Sequence, residues 1–462
     1  MRQPSELRSY QQRIITHLYE NNAAFTLARP GYGKTVSALT AFLELRRDGV
    51  ARHAIVVAPR RVATVTWPGE ILGWVHTSGL KYAVLDGPPA KRAELLKAAS
   101  SRDLTLIGID NVKWLLEQMR NLPADHPLWD ILILDEVSKF KNPRGVRFKA
   151  LAKEVNKWKI IWGLSGTLRP NSSMDLWAPA RLVTRGALWS RSFDAWRKER
   201  YYPKDQWGYQ WLPFPGVEDQ LNTELAPYVA TIHENELIQL PRLSVLIDYV
   251  DLPGEARVQY ETMQKKLFAE ILEEGDTVLA VNKAVATGKL AQLANGFLMD
   301  YGAMHQTHTA KREWLQDLHD DNSENVLVAY EYVEDLKMLR EVLGDYTPHL
   351  GGGTTPKDDD HNIRAWNEGK LRYLAVQYQS ASHGLNMQLG GSTIWMISPT
   401  WSAENHEQLI ARVHRSGQTK PVIVRICAAT KTVDDMKLMR VHNKMTAQQA
   451  FETYLRNHGV RK

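Results

Sequence analysis

Residues Ala28–Thr35 read ARPGYGKT. Two glycines separated by a tyrosine and followed by lysine and threonine have the makings of a phosphate-binding loop. Gly31 and Gly33 let backbone amides turn toward an anion, Lys34 can reach the β- and γ-phosphates of a nucleotide, and Thr35 can hold Mg²⁺. Ala28 stands where the usual pattern has its first glycine, and the context restores the reading: an apolar run precedes the loop and the helical pattern VSALTAFLEL follows it. A second constellation, ILILDE from Ile131 to Glu136, is an apolar run ending in two carboxylates. Ligands of open parallel sheets lie beyond the carboxyl ends of the strands, so Asp135 is suited to orient a metal through its hydration shell and Glu136 to polarise an attacking water. Alone, a strand followed by two acids is often only a helix N-terminus satisfied by carboxylates. Together with the loop at Lys34 it points to nucleotide hydrolysis.

Groups of this kind need a parallel sheet to hold them. Short apolar runs at Phe25–Leu27, Ala54–Ala58, Leu104–Ile109, Ile131–Leu134 and Ile160–Trp162 are predicted strands buried on both faces, with helix-length stretches such as Ala90–Ala99 between them. A second series follows at Val326–Ala329, Leu371–Val376, Thr393–Ile397 and Val422–Ile426. The fold class is therefore α/β with two tandem parallel-sheet lobes. The lobes are expected over 1–242, with an aromatic-rich insertion near 190–235, and over 243–462, with a helical insertion near 254–300. Met263, Leu267 and Ile271 at four-residue spacing predict a helix over 254–274. The aromatics between Trp196 and Phe214 suit the core of an insertion better than a base-stacking surface.

A chain of 462 residues with 44% hydrophobic and 24% charged residues has the balance of a globular protein, neither disordered nor a coiled-coil rod. One cysteine, Cys427, excludes an intrachain disulfide and a cysteine-based zinc site. No apolar run reaches membrane-spanning length and the start lacks a signal-like apolar region, so a cytoplasmic setting without membrane partners is expected. The net charge of +6 is modest, yet it is unevenly spread. Between Lys139 and Lys159, Lys139, Lys141, Arg144, Arg147, Lys149, Lys153, Lys157 and Lys159 face the single acid Glu154, a local excess larger than that of the whole chain. Lys149, Lys153 and Lys157 repeat as on a solvated helix face, while a polyanion track is the sharper alternative.

Nearly end to end, the chain resembles the Swi/Snf-type branch of superfamily 2 helicase-like ATPases, in the minimal form that bacteria and their phages encode. LRSYQQ (Leu7–Gln12), VVAPRRVATVTWPGEI (Val56–Ile71), DEVSKFKN (Asp135–Asn142), LSGTLRPNSSMDLW (Leu164–Trp177), QSASHGLNMQ (Gln379–Gln388) and QLIARVHRSGQTK (Gln408–Lys420) carry the resemblance, the last most specifically. It implies two RecA-like lobes, ATP with Mg²⁺, and an adenine contact from Gln11. It further implies coupling roles for Ser165, Thr167, Gly384 and Gln408, and an arginine pair, Arg412 and Arg415, that stabilises charge on the γ-phosphate across an interlobe cleft. ATP would close that cleft and hydrolysis release it, moving one lobe along whatever both hold.

Double-stranded DNA is the partner so implied, branched or single-stranded DNA being alternatives, with protein cargo on the DNA compatible. Backbone contacts fit Arg60, Arg61, Thr64, Asn111, Lys113, Lys141, Arg144, Ser380, Ser382 and His383, which would bind phosphates without reading bases. Ser138 replaces the family's histidine and Gly384 stands where a double glycine is usual, departures that bear on coupling more than on hydrolysis. The leading expectation is a DNA-dependent ATPase that translocates on duplex DNA; a strand-unwinding DNA or RNA helicase and an ATP-gated nucleic-acid scaffold are the rivals.

Overall fold

Within Ile131–Asp135, Leu132 and Leu134 pack into one core cluster while Ile131 and Ile133 pack into another, so this strand is covered on both faces. The same division runs through the neighbouring strands and builds a three-layer α/β unit. The structure, a computed structural model, describes residues 1–28, 31–121, 129–170, 172–189, 192–204, 211–232, 240–273, 279–300, 302–381 and 385–443. It has two units, Met1–Ile238 and Gln239–Lys462.

The first unit carries β1 (Ala23–Leu27), β2 (Ala54–Ala58), β3 (Tyr82–Leu85), β4 (Leu104–Gly108), β5 (Ile131–Asp135), β6 (Ile160–Ser165), the antiparallel pair β7 (Tyr201–Pro203) and β8 (Trp211–Pro213), and β9 (Val229–Thr231). Its main sheet is parallel, in the order β3-β4-β2-β5-β6-β1-β9. This order brings the carboxyl ends of β1, β6 and β5 side by side. Leu27 registers with Ser165 and Asp135 with Leu164. The aromatic insertion is continuous with the lobe's own core: Trp189, Trp196 and Tyr201 are buried in the same cluster as Leu132 and Ile161. Tyr202 and Phe214 stay exposed, and Trp207 and Tyr209 lie outside the described residues.

The second unit carries β10 (Leu243–Val250), the hairpin β11 (Phe297–Asp300) and β12 (Ala303–Gln306), then β13 (Val326–Tyr330), β14 (His349–Leu350), β15 (Tyr373–Gln377), β16 (Thr393–Met396) and β17 (Val422–Ala429). Its six-stranded sheet is parallel, in the order β10-β17-β16-β13-β15-β14. Helices Gly254–Glu273 and Leu279–Asn295 precede β11. A buried ionic network ties the end of the second of these helices to helices Ala310–Asp320, Val333–Leu343 and Val433–Asn443. Lys311 Nζ donates to Asp434 Oδ2 at 2.6 Å and to Asn295 Oδ1 at 2.8 Å, and Asn295 donates to Asp335 at 3.0 Å. Lys311 and Asp434 have no exposed side-chain surface.

The two sheets are the expected pair of parallel α/β lobes, and four of the strands absent from the sequence reading have a common place. Five runs of the first series are β1, β2, β4, β5 and β6, and four of the second are β13, β15, β16 and β17, all interior to their sheets. Besides the two-stranded pairs β7-β8 and β11-β12, the missed strands are β3, β9, β10 and β14, the four edges of the main sheets. An edge strand is covered less completely: β9 and β14 are only three and two residues long and β10 is interrupted by Ser244 and Asp248, whereas β3 reads YAVL and was missed although its run is apolar throughout. The basic segment also differs from the helix-face reading. Helix Val146–Ala152 ends before Lys153, and Val155–Lys157 is a separate 3₁₀ turn, so the three lysines share no helix.

Candidate functional site

At the end of β1 the chain enters the loop through Ala28, whose N–H donates to Ser165 O on β6 at 3.1 Å. Gly31 and Gly33 have φ of 89° and 77°, left-handed backbone that glycine adopts without strain. Lys34 opens helix Lys34–Arg47, and its Nζ donates back across the loop to Ala28 O at 2.7 Å. Thr35 is half-buried in the first turn of that helix.

Gln11 reaches the loop from helix Ser9–Glu20. Its Oε1 accepts from Arg8 N at 2.8 Å and its Nε2 lies 3.4 Å from Tyr32 O. A Cβ on residue 33 would sit 2.0 Å from Gln11 Nε2, so the amide occupies the space that Gly33 leaves. The Tyr10 and Tyr32 rings pack beside it, centroids 5.9 Å apart.

Asp135 ends β5 and is 7% exposed. Its Oδ2 accepts from Trp67 Nε1 at 2.9 Å and its Oδ1 from Glu136 N at 3.0 Å. Burial raises the Asp135 pKa above the usual carboxylate value, while the indole donor and the Lys34 charge act the other way. Glu136 has φ 60° and ψ 51°, a left-handed conformation costly for a residue with a Cβ. Such strain, held by β5 before it and the 3₁₀ turn Val137–Phe140 after it, turns the second carboxylate sharply away from the strand.

Trp67 was not singled out for this role in the sequence. It begins helix Trp67–Gly73 and is fully buried. Before it, Val62–Thr66 forms a π-helical turn in which Trp67 N donates to Val62 O. In the sequence the tryptophan stood out only as part of the family-like segment Val56–Ile71, and burial of an indole calls for a partner for its N–H.

Ser165, between the two motifs on β6, donates through Oγ to Thr167 O at 2.7 Å and accepts from Thr167 N at 3.3 Å. Thr167 Oγ1 accepts from Arg169 N at 3.1 Å, and Arg169 pairs with Glu218 at 2.9 Å. Gln11, Gly31, Gly33, Lys34, Asp135 and Ser165 are thus gathered at one edge of one sheet. The donor set fits a Mg²⁺-bound triphosphate: a glycine cradle and lysine for phosphates, and the hard oxygens of Thr35 and Asp135 for the cation.

The backbone-contact candidates of the first unit follow strand ends, and most already hold acids. Arg60 pairs with Asp86 at 2.8 Å, Lys113 with Glu117 at 3.8 Å, Lys141 with Asp175 at 4.0 Å and Arg144 with Asp194 at 3.5 Å. Thr64 Oγ1 lies 3.4 Å from Arg61 O, and Asn111 accepts from the Arg92 guanidinium.

In the second unit, Gln408 and Arg412 lie on helix Ala403–Val413 and are 7% and 5% exposed. Gln408 Nε2 donates to Glu404 at 3.0 Å, and the Arg412 carbonyl accepts from Met387 N at 3.1 Å. Arg415 Nη1 donates to Leu385 O at 3.3 Å. Around the arginines, Gln418 donates to Gln388 O and Gly391 O at 3.1 and 3.0 Å and accepts from Thr419 N and Lys420 N. His414 Nε2 donates to Pro241 O at 2.8 Å. These two residues of the HRSGQ run shape the loop. Ser380 is half-buried on helix Tyr378–Ala381; Ser382, His383 and Gly384 lie outside the described residues.

No helix among the described residues is long and apolar enough to cross a membrane. A model of the SNF2-related domain matches residues 10–295, and one of the helicase conserved C-terminal domain matches residues 310–417. Protein p41 of Acyrthosiphon pisum secondary endosymbiont phage 1 is 30% identical over 459 residues, which make up 96% of each chain. The ISWI chromatin-remodeling complex ATPase of Saccharomyces cerevisiae is 23% identical over 489 residues, covering 96% of this chain and 40% of the yeast protein. Among solved structures, the Sulfolobus solfataricus SWI2/SNF2 ATPase core in complex with dsDNA matches at 20% identity with a TM-score of 0.46, over 95% of this chain and 91% of that one.

Proposed function

The chain belongs to the SNF2-related family of ATPases, and on that premise we propose that it is an ATP-dependent translocase on double-stranded DNA. Lys34 and the amides around Gly31 and Gly33 bind the triphosphate, and Gln11 reads the adenine. Thr35 and Asp135 hold Mg²⁺, which when bound neutralises charge on the phosphate oxygens. Glu136 takes the proton of the attacking water, and Arg412 and Arg415 of the second lobe stabilise charge on the γ-phosphate. Arg60, Arg61, Thr64, Asn111, Lys113, Lys141, Arg144, Ser380, Ser382 and His383 take backbone phosphates, so affinity is independent of sequence and sensitive to salt. Ser165, Thr167, Gly384 and Gln408 relay nucleotide state to the track.

The observation that carries this reading is the buried Asp135, held by Trp67 and within reach of the Lys34 charge beside a glycine cradle. A structural acid would not need a cation-bearing loop and a strained second carboxylate next to it. The test is the ATPase rate with duplex DNA, single-stranded DNA, RNA and no polymer. Duplex DNA is expected to give the largest stimulation; stimulation by single strands alone would reject the duplex assignment. A forked-duplex displacement assay separates translocation from unwinding, with no strand release expected.

A further inference from the structure

Three arginines and two aspartates alternate along the carboxyl-terminal edge of the first sheet. Arg60 follows β2, Asp86 follows β3 and Asp110 follows β4. Arg60 Nε and Nη2 donate to Asp86 Oδ1 and Oδ2 at 2.8 and 2.9 Å, a two-pronged pair. Arg147, on helix Val146–Ala152, donates to Asp110. Arg92 is buried behind them, donating to Asn111 and lying 4.5 Å from the centroid of the Trp114 ring. The ends of β2 and β4 meet without an intervening side chain, since a Cβ on Gly108 would lie 3.4 Å from Arg60 Cα and 3.6 Å from Asn111 Nδ2. The charges act across the pairs as well. Asp86 and then Asp110 hold the Arg60 guanidinium in its charged form, and Arg60 and then Arg92 hold the Asp86 carboxyl below its ordinary value. The row runs Arg92, Asp86, Arg60, Asp110, Arg147.

Two of these pairs face solvent: the Arg60 and Asp86 side chains are 62% and 33% exposed, and those of Arg147 and Asp110 49% and 64%. A carboxylate presents to a guanidinium the same pair of oxygens that a backbone phosphate does. Exposed pairs add little to stability, so a phosphate of suitable position can take the place of the acid. We propose that Asp86 and Asp110 are built-in competitors of the nucleic-acid backbone: each occupies, without polymer, the guanidinium that a phosphate takes when polymer binds. This rests on the reading of the chain as a DNA-binding motor and adds residues that limit how tightly the track grips.

The consequence is quantitative. An arginine already neutralised by aspartate brings no favourable free charge to the phosphate, and the displaced carboxylate collects a cation, offsetting the counterions that DNA releases. Removing the acids should therefore tighten binding and also steepen its dependence on salt. A merely structural role for the acids would do neither.

The experiment measures binding of a fluorescent duplex to the full chain over a series of salt concentrations, for the wild type, Asp86→Asn, Asp110→Asn and the double variant. Asparagine keeps the shape and one acceptor, and thermal melts check folding; the two single variants serve if the double one is unstable. Asp48→Asn is the control for net charge, because Asp48 caps the far end of helix Lys34–Arg47, away from the edge where that helix begins. The double variant is expected to bind about three- to tenfold tighter, with the slope of log K against log salt steeper by up to about one per acid removed. Asp48→Asn should change affinity less than about twofold. Unchanged or weaker binding by the double variant, or an equal gain in Asp48→Asn, overturns the proposal. A wild type that binds no duplex at all removes the motor reading itself, whereas a wild type that binds and a variant that binds no better removes only the role of the acids.

Discussion

Trp67 Nε1 donates to Asp135 Oδ2 over 2.9 Å, with the indole fully buried and the carboxylate nearly so. Burial pushes the Asp135 carboxyl up, and the indole and the Lys34 charge resist the push. Trp67→Phe keeps the ring and removes the donor, so the pKa rises further and the ionised form appears only at higher pH. The acid limb of kcat/KM should move to higher pH, and the Mg²⁺ needed for half-maximal rate should rise. A pH profile and a Mg²⁺ titration of binding check this; superimposable curves would reduce the indole to a space filler.

Lys34→Ala and Glu136→Gln should fail in different ways. Lys34→Ala loses the charge facing the phosphates and should show no nucleotide binding in a fluorescent-ATP titration. Glu136→Gln keeps every phosphate contact and should bind normally while kcat falls by about 10²–10⁴-fold, the range for loss of a general base. Turnover of Glu136→Gln at the wild-type rate would remove the base assignment.

Arg415→Ala should separate binding from chemistry in the same manner, from the other lobe. Its guanidinium makes a hydrogen bond to Leu385 O at 3.3 Å that costs little to lose. If Arg415 acts as an arginine finger, nucleotide affinity should hold while kcat drops by about 10³-fold or more. Single-turnover kinetics would measure it, and a loss confined to KM would argue for ground-state binding alone.

Lys311→Met tests the ionic network of the second unit. It removes the 2.6 Å partner of buried Asp434 and leaves it Lys437 at 3.9 Å and the Ala429 N–H, so the cost should be at most about 3–5 kcal/mol, the range for breaking a buried pair, seen as a lower midpoint in urea. Adding Asp434→Leu should recover part of that loss, because an apolar pair replaces a buried carboxylate that has lost its nearer cation, while Lys437 keeps Glu331 at 2.9 Å.

These sites differ in how far composition and spacing could reveal them. Asp135 ends an interior strand, Glu136 follows it and Lys34 opens the helix after another, and these interior strands announce themselves as apolar runs. β10 shows why an edge can escape notice: Leu243, Val245, Leu246 and Tyr249 are exposed on it, so the run carries Ser244 and Asp248 and the sequence reading assigns it no element. Partners that arrive from distant sequence were equally hidden. Asp135 and Trp67 are 68 residues apart, and Arg60 finds Asp86 after 26, separations over which no local periodicity operates. Lys149, Lys153 and Lys157 mark the reverse failure, a helical spacing without one helix beneath it.

The π-helical turn at Val62–Thr66 carries one residue more than an α-helical hydrogen-bonded ring would. Dropping a single residue there would swing everything downstream by about 100° about the helix axis and carry the indole off its carboxylate. Apart from buried Ala63 and the phosphate-contact candidate Thr64, what this stretch must keep is its residue count. Insertions and deletions, more than point changes, are what the connection between β2 and the tryptophan forbids.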